Sequence, residues 1–432
     1  MTIDFLAELK WRGLLHQTTS TEELVAHLAA PGRLGYAGFD PTRDSLTIGN
    51  LIPIMLLKHW QRAGHRPIVL MGGGTGLIGD PSGKDAERQL MTEDRVQRNV
   101  DAQVTIMRRL LDFEGERGAM LVNNADWLNT LGYIEVLRGI GKHFSINAMI
   151  QKDSVRDRLH NREQGISYTE FSYMLLQAYD FLHLRRELGC TVQFAGSDQF
   201  GNIVAGIDLI RREFGRGDAG QVEAFGITAP LVTKADGKKI GKSEKGAIWL
   251  DADNTSPYAF YQFWLNVDDA DVENFIKWYT LLSEAEVTEL VQAHREAPHA
   301  RMAQRRLAQE VTRMVHGDGE LAQVEHASQA LFGGSIRELS EDLLRQVFAD
   351  VPHSEHARGA LAGDGVALVE LLPQTTLASS KREARQFLTA GAVSVNGEKV
   401  AEARRVTETD LLHGHTVLLR RGKKLWHAAR FG

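Results

Sequence analysis

Short apolar runs and longer stretches of helical period alternate through the first half of the chain. Arg33–Phe39, Arg66–Met71, Met120–Asn123 and Thr191–Ala195 have the length and the aliphatic or aromatic content of buried strands. After the first run, Leu51, Ile54, Met55, Leu57 and Lys58 recur at a period near 3.6, and Thr92–Leu111, Tyr133–Ile150 and Glu170–Leu184 are helical in pattern. Strands alternating with helices predict a parallel α/β sheet. From Ser256 to Phe348 the pattern is almost wholly helical, with Trp264, Phe275, Trp278 and Tyr279 as candidate core. Pro352, Gly359 and Gly363 then interrupt any apolar period, which reads as a linker. The tail combines a capped helix at Ser379–Leu388 with a hairpin at Ala392–Val400, turning at Asn396-Gly397. The expected divisions are therefore residues 1–233 (α/β), 234–250 (a loop), 251–348 (helical), 349–365 (linker) and 366–432 (a small α+β domain).

Composition narrows the class. At 432 residues, 43% hydrophobic and 25% charged, the chain fits a soluble protein of two or three domains. A single cysteine, Cys190, excludes an internal disulfide framework and fits a reducing compartment. No apolar run approaches the ~18 residues of a membrane span, and Phe5–Arg12 reads as an amphipathic helix, unlike a signal peptide. A cytoplasmic location is expected, with no membrane partner. The net charge of −6 is unevenly spread: from Val366 onward there are 11 Lys and Arg against 6 Asp and Glu, and elsewhere 39 against 50. A basic tail on an acidic body suggests a polyanionic partner.

Candidate chemistry gathers where strands turn into helices. Tyr36 to Asn50 runs from strand to loop to helix, with Pro53 allowed only in the first helical turn. A helix opening at a strand's carboxyl end points free amides into the crevice above the sheet, which suits a phosphate. Gly72 to Lys84 follows the second strand, and Gly74, Gly76 and Gly79 match the spacing of a dinucleotide fingerprint. Asp80-Pro81 interrupts that fingerprint and adds a carboxylate better suited to a cation such as an ammonium. Lys84 and Arg88 follow, and either reach a polyphosphate or belong to a charged helix surface. Tyr173, Gln177 and Asp180 share one helix face, either a solvated stripe or the reader of a polar ligand. Gly237 to Ser243 falls one residue short of a P-loop; Lys239, Lys242 and Ser243 instead suggest a flap closing over phosphates. In the tail, Lys381, Arg382 and Arg385 cluster on the capped helix, suiting a phosphate backbone.

Taken in order, these motifs resemble the bacterial tyrosyl-tRNA synthetases over nearly the whole chain. The resemblance rests on Tyr36-Ala-Gly-Phe-Asp-Pro-Thr42, Gly76-Leu-Ile-Gly-Asp-Pro-Ser-Gly-Lys84, Phe171-Ser-Tyr-Met-Leu-Leu-Gln-Ala-Tyr-Asp180, Ser197-Asp-Gln199 and Lys239-Ile-Gly-Lys-Ser243. The tail is similar to the RNA-binding fold of ribosomal protein S four. The family implies a class I catalytic domain with a Rossmann-like sheet, a helical domain on the anticodon side, and a homodimer.

By resemblance, Tyr36 and Asp180 hold a substrate phenol, Asp80, Tyr173 and Gln177 bind its ammonium, and Gln199 lies alongside. Asp40, Gly49, Asn50, Asp198 and Lys242 line the ATP side. Thr42, Thr47, Lys84, Arg88, Lys239 and Lys242 serve the reacting phosphates, while Lys381, Arg382 and Arg385 meet tRNA. Mg²⁺ would arrive with ATP, and no protein-held metal or organic cofactor is expected. The implied chemistry is attack of the tyrosine carboxylate on the α-phosphorus of ATP, then transfer of tyrosine to the terminal adenosine of tRNA. An already ionised nucleophile needs no general base, so alignment and charge placement carry catalysis.

Two positions depart from the family pattern. Thr47-Ile48-Gly49-Asn50 stands where His-Ile/Leu-Gly-His is usual, and Phe200 where tryptophan is common. A non-catalytic relative that binds tyrosine or RNA is the competing class, with the missing histidines as its support. A tryptophan-specific enzyme is the other, and Tyr36 with Asp180 argues against it.

Overall fold

The four apolar runs become four consecutive strands of a six-stranded sheet. The structure, a computed structural model, describes residues 3–80, 90–151, 155, 166–215, 224–233, 235, 237, 240, 242–243, 246–333, 336–422 and 424–432. Strands β1 (Gln17–Thr18), β2 (Leu34–Phe39), β3 (Arg66–Met71), β4 (Met120–Asn123), β5 (Val192–Gly196) and β6 (Phe225–Ala229) lie in the order β1-β6-β5-β2-β3-β4. All pairs are parallel except the edge pair β1–β6. That antiparallel edge was not expected, because two polar residues carry no apolar alternation.

Helices Leu51–Arg62, Glu93–Leu110, Tyr168–Leu188 and Phe200–Phe214 make the crossovers. The first is buried nearly all round, with eight buried side chains. Phe5 meets Trp60 edge-on at 4.9 Å and Phe194 at 5.7 Å, so the N-terminal helix Phe5–Arg12 covers the same layer. Each fully buried side chain of this size contributes roughly 1.5–3 kcal/mol through area removed from water. Arg12, also buried, donates to the carbonyls of Lys277, Thr280 and Leu282, satisfying the carboxyl end of helix Asp269–Tyr279. Between Tyr133 and Ile150 the expected single helix is broken into a π turn at Val136–Ile140, a 3-10 turn at Gly141–His143 and a short helix at Ile146–Ile150. Gly139 and Gly141 lower the helix propensity there.

Two compact units emerge: residues 1–255 with 264–315, and residues 256–263 with 316–432. The helical stretch expected as one domain, 251–348, is thus divided between them. Its long helix, Met302–Gly333, breaks at Gly317, where φ is 89° and only glycine is free of strain.

In the second unit, β9 (His353–His356), β11 (Val393–Val395), β12 (Glu398–Lys399), β14 (Thr416–Arg421) and β15 (Leu425–Phe431) form a sheet in the order β12-β11-β14-β15-β9, and β10 (Val366–Ala367) pairs with β13 (Arg405–Val406). The expected hairpin turns at Asn396 and Gly397, with φ of 49° and 89°. The expected linker, 349–365, is corrected by β9, which pairs in parallel with β15. His353-Ser-Glu-His356 has no apolar period because it adds to the sheet through its backbone. No helix among the described residues is long and apolar enough to cross a membrane.

Candidate active site

β2 and β5 are neighbours, while β3 and β4 extend the sheet to one side and β6 to the other. The winding reverses between them, and in open α/β sheets ligands bind at the carboxyl ends of such a pair. A cavity of about 360 Å³ opens there, lined by Tyr36, Gly38 and Phe39 of β2 and by Gln193 to Gly196 of β5. Tyr36 and Gln193 are register partners.

The polar stripe Tyr173, Gln177 and Asp180 faces this cavity, so the helix face is turned inward and is not a solvated stripe. Ser167 caps helix Tyr168–Leu188 by accepting from Glu170 N–H, and Gly189 ends it at φ 73°. Asp180 is 2% exposed. Its two oxygens accept from Asn124 Nδ2 at 2.9 Å and Trp127 Nε1 at 2.8 Å. Burial pushes its carboxyl up to about 7 against the lowering effect of those two bonds. Tyr36, 1% exposed, has a hydroxyl with no partner among the described residues, and burial beside Asp180 drives its pKa well upward. A buried hydroxyl left unpaired costs roughly 1–3 kcal/mol, so it marks where a ligand atom belongs.

Asp40 and Asp80 line the same cavity. Asp40 accepts from Tyr173 Oη at 2.9 Å and Thr75 Oγ1 at 2.8 Å, and Asp80 from Gln199 Nε2 at 2.9 Å. Asn202 Nδ2 fixes the carbonyl oxygens of Gln177 and Gln199 at 3.0 and 2.9 Å. Three carboxylates line the cavity, and no lysine or arginine among the described residues does, so the site favours a cation.

The glycine run after β3 has a different task from holding a dinucleotide. Gly73 N–H and Gly74 N–H donate to Asn123 Oδ1 and Asn124 Oδ1, at 3.1 and 2.8 Å. Amides already engaged this way cannot cradle a pyrophosphate. A Cβ at Gly72 would lie 2.3 Å from Asp40 Oδ1, so glycine there leaves room for the carboxylate.

In the loop after β2, Thr42 and Asn50 line the cavity, whereas Thr47 turns its hydroxyl onto Asn50 Oδ1 at 2.9 Å. Gly49 and Asp198 lie on the flanking turns, outside the cavity lining. Lys242 sits in a two-residue hairpin strand, β7 (Lys242–Ser243), paired with β8 (Gly246–Ala247). Lys84, Arg88 and Lys239 lie outside the described residues. Among the described residues no group of His, Cys, Asp and Glu is arranged to hold a metal. In the second unit Ser380 caps helix Lys381–Thr389, where Lys381 pairs with Glu370 while Arg382 and Arg385 are exposed.

Comparison with known proteins decides between the families that share such a site. The model for class I tRNA synthetases of tryptophan and tyrosine matches residues 34–333, and that for the C-terminal domain of tyrosine–tRNA ligases matches residues 343–429. The chain is 48% identical to the tyrosine–tRNA ligase of Staphylococcus carnosus over all 432 residues, covering 100% of both. It is 50% identical to that of Roseiflexus castenholzii over 427 residues, 98% of this chain and 99% of the relative. The chain belongs to the tyrosine–tRNA ligase family. It is thus an aminoacyl-tRNA synthetase, and ATP-dependent activation of tyrosine for tRNA charging is its reaction. A C-terminally truncated mitochondrial tyrosyl-tRNA synthetase of Coccidioides posadasii superposes with a TM-score of 0.66 at 31% identity, covering 74% of this chain and 91% of that one. A tryptophanyl-tRNA synthetase of Encephalitozoon cuniculi shares the fold, at a TM-score of 0.52 and 13% identity, with 78% of this chain and 89% of that one covered.

Reading the sequence missed several parts of the enzyme's site. Asn124 and Trp127 orient Asp180, Thr75 orients Asp40, and Asn202 orients two glutamines. Only Asn124-Ala-Asp-Trp127 at the end of β4 gave a signal, as polar residues at a strand's carboxyl end. Gln193 reads as an interior strand residue, yet its Oε1 is buried beside the cavity without a partner among the described residues.

Proposed function

We propose that the cavity binds L-tyrosine with its phenol between Tyr36 and Asp180 and its ammonium among Asp80, Tyr173 and Gln177. The observation that carries this reading is the buried Tyr36 hydroxyl, without a partner among the described residues, beside a buried carboxylate whose two donors among those residues leave an acceptor site for a phenol. The phenol donates to Asp180 and accepts from Tyr36. Gln199, held by Asn202, lies beside the substrate carboxylate. Phenylalanine would leave the Tyr36 hydroxyl unsatisfied and Asp180 without its third donor in a dry site, which is the basis of selection.

ATP lies over Asp40, Gly49, Asn50 and Asp198. The tyrosine carboxylate oxygen bonds to the α-phosphorus as the bond to the bridging oxygen breaks and pyrophosphate leaves with the electron pair. Thr42 donates a hydroxyl, and Lys84, Arg88, Lys239 and Lys242 supply positive charge where the phosphates gain negative charge. Mg²⁺ accompanies ATP as a substrate complex and shields the same charge. The tyrosyl group then passes to the terminal adenosine of tRNA, whose backbone meets Lys381, Arg382 and Arg385.

The enzyme works as a homodimer in the cytoplasm. Exposed apolar side chains at Tyr133, Ile134, Leu137, Ile146 and Tyr168 support an interface between copies. The deciding experiment is amino-acid-dependent exchange of labelled pyrophosphate into ATP with tyrosine, phenylalanine and tryptophan. Exchange with tyrosine alone is expected; none with any of them, in protein that binds tyrosine, would overturn the catalytic reading.

A further inference from the structure

Thr47 and Asn50 occupy the two positions where the sequence departs from its family, and they are bonded to each other. Asn50 Oδ1 accepts from Thr47 N–H and from Thr47 Oγ1, both at 2.9 Å. A backbone N–H only donates, so the atom facing it must be the carboxamide oxygen, and the orientation of the amide is fixed by chemistry. Nδ2 therefore points away from Thr47, and it has no partner among the described residues. Asn50 lines the cavity and Thr47 does not.

The loop carrying this pair is bolted to the segment that follows the lysine hairpin. Ile48 N–H donates to Ile248 O at 3.1 Å and Leu250 N–H to Leu46 O at 2.8 Å, and Thr47 bridges Trp249. The backbone of Thr47 is thus held by two neighbours, and among the described residues its hydroxyl acts on Asn50 alone: it donates to the carboxamide oxygen and closes a capping box with the Asn50 N–H.

We infer that Thr47 is a positioning residue that does not touch the nucleotide: its hydroxyl and amide lock the Asn50 carboxamide so that Nδ2 is presented as a donor to the phosphates of ATP. This rests on the assignment of the cavity mouth to ATP. Two donors on one oxygen select a single rotamer and amide orientation, so the donor is pre-arranged before phosphate charge develops. A neutral Nδ2–H donor replaces an imidazole, which removes any titration near neutral pH from this contact.

The test is a double-mutant cycle on adenylate formation and pyrophosphate exchange in the full-length enzyme, using Thr47→Val, Thr47→Ser, Asn50→Ala and the double variant Thr47→Val/Asn50→Ala. Thr47→Val is expected to lower the adenylation rate about fivefold to tenfold, the range of one neutral hydrogen bond. Thr47→Ser should restore most of that rate. Asn50→Ala and the double variant should be equal within about twofold, because Thr47 has nothing left to position. Tyrosine binding, measured directly, should be unchanged in all four, which verifies the fold. Loss from Thr47→Val that persists in the Asn50→Ala background would mean that Thr47 acts on ATP itself, and the inference falls. It falls equally if Thr47→Val is silent while Asn50→Ala is impaired. If Asn50→Ala retains the full rate and KM for ATP, the assignment of this loop to the phosphates is what has failed.

Discussion

Tyr173 Oη donates to Asp40 Oδ2 at 2.9 Å, which joins a side chain proposed for the ammonium of tyrosine to one proposed for ATP. The link continues through Thr75, which donates to the other Asp40 oxygen, and through Asn124, whose Nδ2 contacts both Thr75 Oγ1 and Asp180 Oδ2. One chain of hydrogen bonds therefore spans the cavity from the end proposed for the nucleotide to the end proposed for the phenol. Burial, with Asp40 and Asp80 nearby, raises the Tyr173 pKa well above its usual value and keeps the hydroxyl a donor.

Tyr173→Phe keeps the ring and removes this link. Tyrosine affinity should fall about tenfold, as expected for a hydrogen bond to charged groups. KM for ATP should rise as well, because Asp40 loses a donor. Calorimetry for tyrosine and exchange kinetics for ATP check both; an effect confined to tyrosine would mean that Asp40 is held without Tyr173.

Tyr36→Phe removes a hydroxyl that is buried at the cavity without a partner among the described residues. The ligand-free variant should be as stable as the parent or more so, by up to about 1 kcal/mol, since an unsatisfied group is lost. Preference for tyrosine over phenylalanine should fall about tenfold in kcat/KM, the worth of one hydrogen bond. Thermal unfolding and competitive kinetics measure the two. A variant that is destabilised yet equally selective would show that Tyr36 packs the core and does not read the substrate.

Much of this geometry follows from what periodicity can and cannot report. β2, β3 and β5 were legible because interior parallel strands are continuous apolar runs, and the half-buried edge strand β4 kept enough of that run to be read as well. Helix spacing alone placed Tyr173, Gln177 and Asp180 on one face, but not whether that face met water or a ligand. Asn124, Trp127 and Thr75, and Asn202 in its bond to Gln177, escaped because they act on other side chains across gaps of 25 to 56 residues, and no local pattern encodes such an interaction. β9 escaped for a related reason: its contribution is backbone pairing, and its side chains are polar.

Asp180 makes tyrosine binding depend on pH. In the ligand-free protein its carboxyl sits at about 7, above the value of about 3.9 expected in an unfolded chain. A raised folded pKa contributes stability that is fully present below about 3.9 and is lost as pH rises through about 7. Tyrosine binding has the opposite dependence, because the phenol proton needs the ionised carboxylate as acceptor. The stabilisation conferred by saturating tyrosine should therefore increase from about pH 6 to about pH 8, across that titration. Phenylalanine, with no proton to donate, should show no such increase. Unfolding temperatures with and without each amino acid at three pH values test this, and equal shifts with tyrosine throughout would remove Asp180 from phenol recognition.

The basic helix of the second unit is better probed by charge than by truncation. Cutting the chain at Val366 would remove β15 and strand β9 without its only pairing partner among the described residues, so a fall in charging would not distinguish misfolding from a missing RNA surface. Changing Lys381, Arg382 and Arg385 to Gln keeps the helix, whose cap at Ser380 and buried Ala384 and Leu388 are untouched. Pyrophosphate exchange should be unaffected, while kcat/KM for tRNA falls and its salt dependence weakens. Lys381 is already paired with Glu370, whereas Arg382 and Arg385 are not in an ion pair among the described residues. The slope of log affinity against log salt should therefore become shallower by about 2, since each neutralised phosphate accounts for close to one unit of slope. A change of about 3 would mean that Lys381 leaves Glu370 to reach the RNA, and an unchanged slope would place the tRNA backbone on another surface.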